Sequence, residues 1–104
     1  MLYVRVRVGE RGRNYLSRAY THQFEAAAED VKTLTKRPTN EEFLELYALF
    51  KQVTVGDCDI PKPSAFDMKA KAKWEAWKSK KGTSKEVAMQ AYIDHVKHLL
   101  EKYK

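Results

Sequence analysis

Five residues in the middle of the chain have the types and spacing to hold a flat, anionic ligand: Tyr47, Phe50 and Lys51, then Lys69 and Lys73. On a helix, residues four apart share a face, so Tyr47 and Lys51 form one pair and Lys69 and Lys73 another. Lysine brings a compact cation with rotatable donors, suited to an anion, and an aromatic ring offers a flat apolar face. Two such pairs from different helices could close on one anion. Spacing alone fits equally well with lysines that face water and aromatics that fill a core, so it does not assign a function. Trp74 and Trp77 could likewise stack on a ligand, but in a chain this small two tryptophans more readily form the centre of the core. Tyr92 has the same two readings, its ring packed and its hydroxyl in need of a partner.

Catalytic chemistry finds little support. His95 and His98 lie three apart beside Asp94, without a further ligand at a recognised zinc spacing. Cys58 is the one cysteine and has no evident histidine partner, and there is no nucleophile elbow or phosphate-cradling glycine loop. No turnover, no metal and no cofactor are therefore expected. A lone cysteine also excludes an internal disulfide, so a reducing, cytoplasmic setting is the expectation.

The length of 104 residues suits one domain, and no apolar run approaches the roughly 20 residues that span a bilayer. The expectation is a monomer with no integral membrane segment and at most transient contact with a membrane surface. The net charge of +6 points to an anionic partner, and its distribution matters more than its size. Residues 1–20 carry five arginines against Glu10, a net of +4, which leaves +2 for the remainder. Within that remainder, residues 62–85 hold eight lysines against Asp67 and Glu75, a local positive field on a nearly neutral body.

The elements that would position these residues are helices. Residues 1–8 alternate apolar and basic in a strand-like period, and residues 1–20 read as a basic, flexible N-terminal extension to a domain at 21–104. Arginine-rich starts can direct a chain to mitochondria, but those are amphipathic helices, and a period of two disfavours that reading. From Thr21, Phe24, Ala27, Ala28, Val31 and Leu34 follow a helical spacing until Lys36-Arg37-Pro38 breaks it. Thr39 with Glu42 is a capping box that starts a second helix near residue 40, with Phe43, Leu46, Tyr47, Phe50 and Val53 as its apolar face and Gly56 as its stop. Residues 56–65 contain two prolines and predict an ordered loop, long for a bundle connection. Ser64 with Asp67 predicts the cap of a third helix carrying Ala70, Trp74 and Trp77. Thr83 with Glu86 predicts the cap of a fourth, with Val87, Ala88, Ala91, Tyr92, His95, Val96, Leu99 and Tyr103 on one face. The predicted architecture is all-α, four amphipathic helices around one core.

Four segments carry a specific resemblance: Phe24-Glu-Ala-Ala-Ala-Glu-Asp-Val31; Tyr47-x-x-Phe50-Lys51-Gln52-x-Thr54-Val55-Gly56-Asp57; Lys71-Ala72-Lys73-Trp74-Glu75-Ala76-Trp77; and Lys81-Gly82-Thr83-Ser84-Lys85-Glu86 continuing to Ala91-Tyr92-Ile93. Over roughly residues 22–103 the chain resembles the acyl-CoA-binding proteins, also called diazepam-binding inhibitors. The resemblance implies an up-down-down-up four-helix bundle that binds medium- to long-chain fatty acyl-CoA esters without turning them over, for their transport and storage in the cell. It further implies that Lys51 and Lys73 hold the ribose 3′-phosphate, that Tyr47 and Phe50 lie at the adenine, and that Tyr92 touches the ligand. Lys32 and Lys69 match further basic positions, and Phe43 with Leu44 matches apolar residues near the acyl chain. Such a ligand suits this division of labour, since burying each methylene of its tail contributes about 0.8 kcal/mol while the phosphates fix orientation.

The chain departs from the family pattern in places. Phe50 stands where the family commonly has tyrosine, which removes a hydroxyl but keeps a ring. The usual Pro-Gly-Met-Leu-Asp is Pro63-Ser64-Ala65-Phe66-Asp67, and Ala70 replaces a glycine, so the loop bordering the groove differs. Cys58, Ile60, Pro61 and Lys62 differ from the segment that some relatives release as a signalling peptide. Two competing readings remain: a small basic nucleic-acid-binding module, whose affinity would fall steeply with salt and ignore acyl length, and an acyl-CoA hydrolase, which would release free thiol. The resemblance favours acyl-CoA, rather than nucleic acid, as the partner.

Overall fold

The computed structural model describes the backbone of residues 10–104 and the side chains of residues 19–104. The described residues form α1 (Glu10–Asp30), a 3-10 turn (Val31–Thr33), α2 (Asn40–Thr54), α3 (Met68–Lys78) and α4 (Lys85–Lys102), with no strand. The alternating stretch at residues 1–8 lies outside the described residues. Helix α1 begins at Glu10, well before the start expected near Thr21. Arg, Leu and Ala are good helix formers and Glu10 suits the positive end of the helix dipole, so Gly12 and Asn14 weaken this stretch without breaking it.

The capping chemistry fixes the other helix starts. Thr39 accepts from the Glu42 amide at 3.1 Å while the Glu42 carboxylate accepts from the Thr39 amide at 2.8 Å, the expected reciprocal box. Helix α2 gives way at Val55 and Gly56, whose φ of 104° is the left-handed conformation a glycine adopts cheaply. Two predicted caps move. Ser64 folds a local turn, its hydroxyl accepting from the Phe66 amide and its carbonyl from the Asp67 amide, so Asp67 caps α3 by accepting from the Ala70 amide. Thr83 belongs to the preceding turn, where its amide donates to the Lys80 carbonyl, and Ser84 caps α4 by accepting from the Val87 amide.

Contacts between helices set their directions. The start of α2 meets the end of α4 where Glu42 binds Lys102 and Tyr103, and the end of α2 meets the start of α4 where Gln52 binds the Thr83 carbonyl, so these two run antiparallel. Thr21 lies 3.9 Å from Met89, and Ala27 and Asp30 share a cleft with Val96 and Leu100, so α1 and α4 run together. Asn40 and Leu44 share a cleft with Met68 and Lys69, and Lys51 lies over Trp77, so α2 and α3 also run together. The order is up, down, down, up.

That order explains the long loop. Two consecutive helices pointing the same way require the chain to retrace the 15 residues of α2, a rise of about 22 Å, before α3 can start. The return is pinned by side chains. Trp77 Nε1 donates to the Gly56 carbonyl at 2.7 Å and Trp74 Nε1 to the Ile60 carbonyl at 2.9 Å. Buried Gln52 donates to Asp57 at 2.8 Å and to the Thr83 carbonyl at 2.9 Å, and Asp57 also accepts from the Gly82 amide at 2.9 Å. The bond from Gly82, then that from Gln52, holds the Asp57 carboxyl below its ordinary range. Both partners of Gln52 Nε2 are acceptors, which fixes the amide orientation and leaves Oε1 buried without a partner among the described residues.

The core joins Phe24 and Ala27 of α1, Leu46, Leu49 and Val53 of α2, and Ala88, Met89, Tyr92, Ile93, Val96 and Leu99 of α4. Helix α4 is covered by α1 on one side and α2 on another, so its buried stripe is wider than the single face expected. Met89 and Ile93 are inside it, while Val87, placed on that face from sequence, is 60% exposed. Trp77 is buried outside this cluster, against the returning loop, and Trp74 is half-buried; only one of the pair is fully enclosed.

Glu42 closes the other end of the bundle. Its carboxylate accepts from Lys102 and from the Tyr103 hydroxyl at 2.6 Å each, which together with the Thr39 amide lowers its pKa from 4.5 to about 2. A carboxyl depressed in the folded state stabilises fully above its unfolded value and loses that contribution as pH falls through the folded one. Urea melts across pH are therefore expected to show Glu42→Gln less stable than the parent chain at neutral pH, with the gap closing between pH 4.5 and about 2. A gap that stays constant across this window contradicts the assignment.

Candidate ligand-binding groove

Helix α2 has two working faces. Leu46, Leu49 and Val53 turn inward, while Phe43 and Phe50 remain 47% and 39% exposed, with half-buried Tyr47 between them. Spacings of four and three place these three rings on one stripe. Opposite them, the helical run that began in α1 ends: after the 3-10 turn Leu34 is extended, and Pro38 keeps the segment from rejoining a helix. The gap between this segment and α2 is a groove of about 610 Å³. Its apolar wall includes Val31, Leu34, Leu46, Phe43 and Phe50, and its basic edge is Lys32, Lys36 and Arg37.

Tyr92 reaches the groove from α4, behind α2. Its ring packs 4.8 Å from Phe24 and 6.2 Å from Phe50 between centroids, and Phe24 stacks on Phe50 at 5.5 Å. Burial raises the Tyr92 phenol above its ordinary value. Tyr92 itself lines the groove.

A second hollow of about 390 Å³ opens between the starts of α2 and α3, lined by Asn40, Leu44, Met68, Lys69, Ala72 and Lys73. Phe43 and Arg37 line both hollows, which makes them neighbours. The parallel course of α2 and α3 brings Lys73 to the stripe of rings: its Nζ lies 5.5 Å from the Tyr47 centroid and 5.9 Å from that of Phe43. Such contacts hold an ammonium by the negative face of the ring and leave its N–H donors available. Lys51 is placed differently. Its Nζ rests 5.0 Å over Trp77, and it lines neither hollow.

The charge pattern is one-sided. Among the described residues, Lys32, Lys36, Arg37, Lys69 and Lys73 line the two hollows, and no carboxylate does. Lys32 sits in the 3-10 turn rather than on the first helix and pairs with Glu29 at 3.2 Å, but both side chains are mostly exposed and the pair holds it weakly. Of the residues singled out from sequence, Lys32, Phe43, Tyr47, Phe50 and Tyr92 meet at the first hollow, and Phe43, Leu44, Lys69 and Lys73 at the second. Lys36 and Arg37 also line the first hollow, whereas in the sequence they mark only a helix break. Two cations beside a proline, four and five residues beyond Lys32, were the available signal.

His95 Nε2 lies 3.2 Å from the Glu42 carbonyl oxygen, Cys58 is buried, and no metal-holding cluster occurs among the described residues. No helix among them is long and apolar enough to cross a membrane.

Comparison with known proteins identifies the family and agrees with the all-helical fold. The family model described as acyl CoA binding protein matches residues 21–96. An acyl-CoA-binding protein homolog of Drosophila melanogaster is 60% identical over 83 residues, covering 80% of this chain and 96% of the relative. Homolog 1 of Caenorhabditis elegans is 54% identical with the same coverage. Among solved structures, Oryza sativa acyl-CoA-binding protein 2 superposes with a TM-score of 0.80 at 46% identity, covering 83% of this chain and 94% of that one. The protein of Moniliophthora perniciosa gives a TM-score of 0.75 at 45% identity, with coverage of 81% and 83%. With the family model spanning most of its length and these relatives matched almost end to end, the chain belongs to the acyl-CoA-binding protein family.

Proposed function

We propose that the chain binds medium- to long-chain fatty acyl-CoA esters and carries them in the cytoplasm as a monomer, without turnover and without a cofactor. The observation that carries this reading is the pairing of two adjoining hollows, walled by rings and aliphatic side chains, with five cations and no carboxylate among the described residues. A ligand that joins several phosphates and a purine to a long apolar tail needs both kinds of wall at once. The binding unit begins at residue 21, where the family match starts.

In this reading Lys73, poised over Tyr47, takes the ribose 3′-phosphate, and Lys51 swings from Trp77 to meet it. Lysine suits that movement, since leaving the ring costs little beside a charge-assisted hydrogen bond of about 1.5–3 kcal/mol. Tyr47 and Phe50 flank the adenine, the Tyr92 hydroxyl bonds the ligand, and Lys32 and Lys69 add positive charge. Phe43 and Leu44 shield the acyl chain. Arg37, at the junction of the two hollows, joins the phosphate-binding set.

Calorimetry against palmitoyl-CoA, palmitate and coenzyme A tests the reading. Tight binding is expected only for the ester, with affinity rising about fourfold per methylene until the tail outgrows the groove. Lys73→Ala and Lys51→Ala should each weaken binding at least about tenfold, the loss of one charge-assisted bond. Palmitate bound as tightly as its ester contradicts the phosphate assignment, thiol release over many turnovers contradicts a carrier, and displacement of the ester by an oligonucleotide favours a nucleic-acid module.

Phe50→Tyr restores a hydroxyl at the edge of the first hollow. Its affinity for palmitoyl-CoA is expected to rise severalfold, the worth of one hydrogen bond near 1 kcal/mol, with thermal stability unchanged because the ring is already part-exposed. Weaker binding by the tyrosine variant would place the adenine elsewhere.

A further inference from the structure

The five cations that line the hollows are not equivalent. Lys73 rests on the rings of Tyr47 and Phe43, and Lys32 pairs with Glu29. Lys36 lines the first hollow and not the second, and Lys69 the second and not the first. Arg37 lines both, so its charge stands where one hollow gives way to the other. It makes no hydrogen bond, ion pair or ring contact among the described residues.

An exposed arginine is ordinarily a solvated charge of little worth. Here the backbone that carries it is confined. Pro38 restricts the residue before it to extended conformations, because the proline ring crowds that residue's amide and Cβ. Thr39, two residues beyond Arg37, is held by its reciprocal bonds with Glu42. On the other side the Leu34 amide donates to the Val31 carbonyl at 3.3 Å and closes the 3-10 turn. Anchors on both sides limit where the guanidinium can reach.

The ligand of the proposed function carries its charge in two places: a phosphate on the ribose, and a diphosphate that joins the nucleoside to the arm bearing the acyl chain. With the purine among the rings of the first hollow and the tail along Leu44 and Ala72 of the second, the linking part crosses the junction. A guanidinium presents a planar fork of N–H donors that meets two oxygens at once, whereas an ammonium is a point charge. A diphosphate, with oxygens on adjacent phosphorus atoms, is the group of such a ligand that a fork at this place would match.

We propose that Arg37 binds the diphosphate and is a specificity-determining residue separate from the lysines that take the ribose 3′-phosphate. This deepens the acyl-CoA reading and rests on it. It follows that acyl esters of dephospho-coenzyme A, which keep the diphosphate and lack the 3′-phosphate, are also ligands, bound more weakly and still through Arg37.

Calorimetry with palmitoyl-CoA and palmitoyl-dephospho-CoA against the parent chain, Arg37→Ala, Arg37→Lys and Lys73→Ala tests the assignment. Arg37→Ala should weaken both esters by the same factor, about tenfold, and Arg37→Lys should recover only part of that loss. Lys73→Ala should weaken palmitoyl-CoA and leave the dephospho ester nearly unchanged. Thermal melts of both Arg37 variants should match the parent, since the side chain holds nothing in the fold. A loss in Arg37→Ala that disappears with the dephospho ester overturns the proposal by moving Arg37 to the 3′-phosphate. No loss in Arg37→Ala, or full recovery in Arg37→Lys, also overturns it, leaving Arg37 as one charge in a general positive field. These outcomes leave the carrier reading standing, whereas a parent chain that binds neither ester overturns both.

Discussion

The arrangement depends on two successive helices being held parallel. Antiparallel neighbours need only a short turn, as between the 3-10 turn and α2, or between α3 and α4. Parallel neighbours need a return path, and an extended chain of that length loses substantial conformational entropy unless something fixes it. Here the fixing is done by hydrogen bonds to loop backbone from the indoles of Trp74 and Trp77, and by the Gln52–Asp57–Gly82 set, which ties the end of α2 to the turn before α4. Lys73 reaches Tyr47 only because α3 is laid alongside α2 in this sense.

The same clamp accounts for much of the sequence signature. Gln52, Gly56, Asp57, Trp74, Trp77 and Gly82 belong to the segments by which the family is identified, and in the structure they hold the loop rather than line either hollow. The residues that line the hollows are interleaved with them: Tyr47 and Phe50 before Gln52, and Lys73 before Trp74. Framework and site are thus written into the same short stretches. A substitution in the clamp would act on the second hollow through the position of α3.

The hollows join two requirements that usually oppose each other. Gathering cations on an apolar wall is unfavourable while they face one another alone, and it is eased here by placing Lys73 on the faces of Tyr47 and Phe43 and Lys32 beside Glu29. Each of these contacts is weak and exchangeable, so the cations are held near the groove and remain able to turn to an anion.

The sequence by itself determined the helical class, the capping box at Thr39 and Glu42, the stop at Gly56 and the family, because these rest on local hydrogen bonds and on periodicity that neighbouring residues express alone. It also supplied Lys32, Phe43, Leu44, Tyr47, Phe50, Lys69, Lys73 and Tyr92 as lining candidates, most of them through the resemblance. Tertiary structure alone decided what distance along the chain conceals. Arg37 sits at the junction of the two hollows because the segment after α1 folds across α2, and Lys51 turns to Trp77 because α3 passes beneath it. Ser64 and Thr83 look like caps in one dimension, yet each is used by a turn, and the next suitable side chain caps the helix instead. Local pattern names the residue types a site can draw on; the packing of one helix against another selects which of them meet.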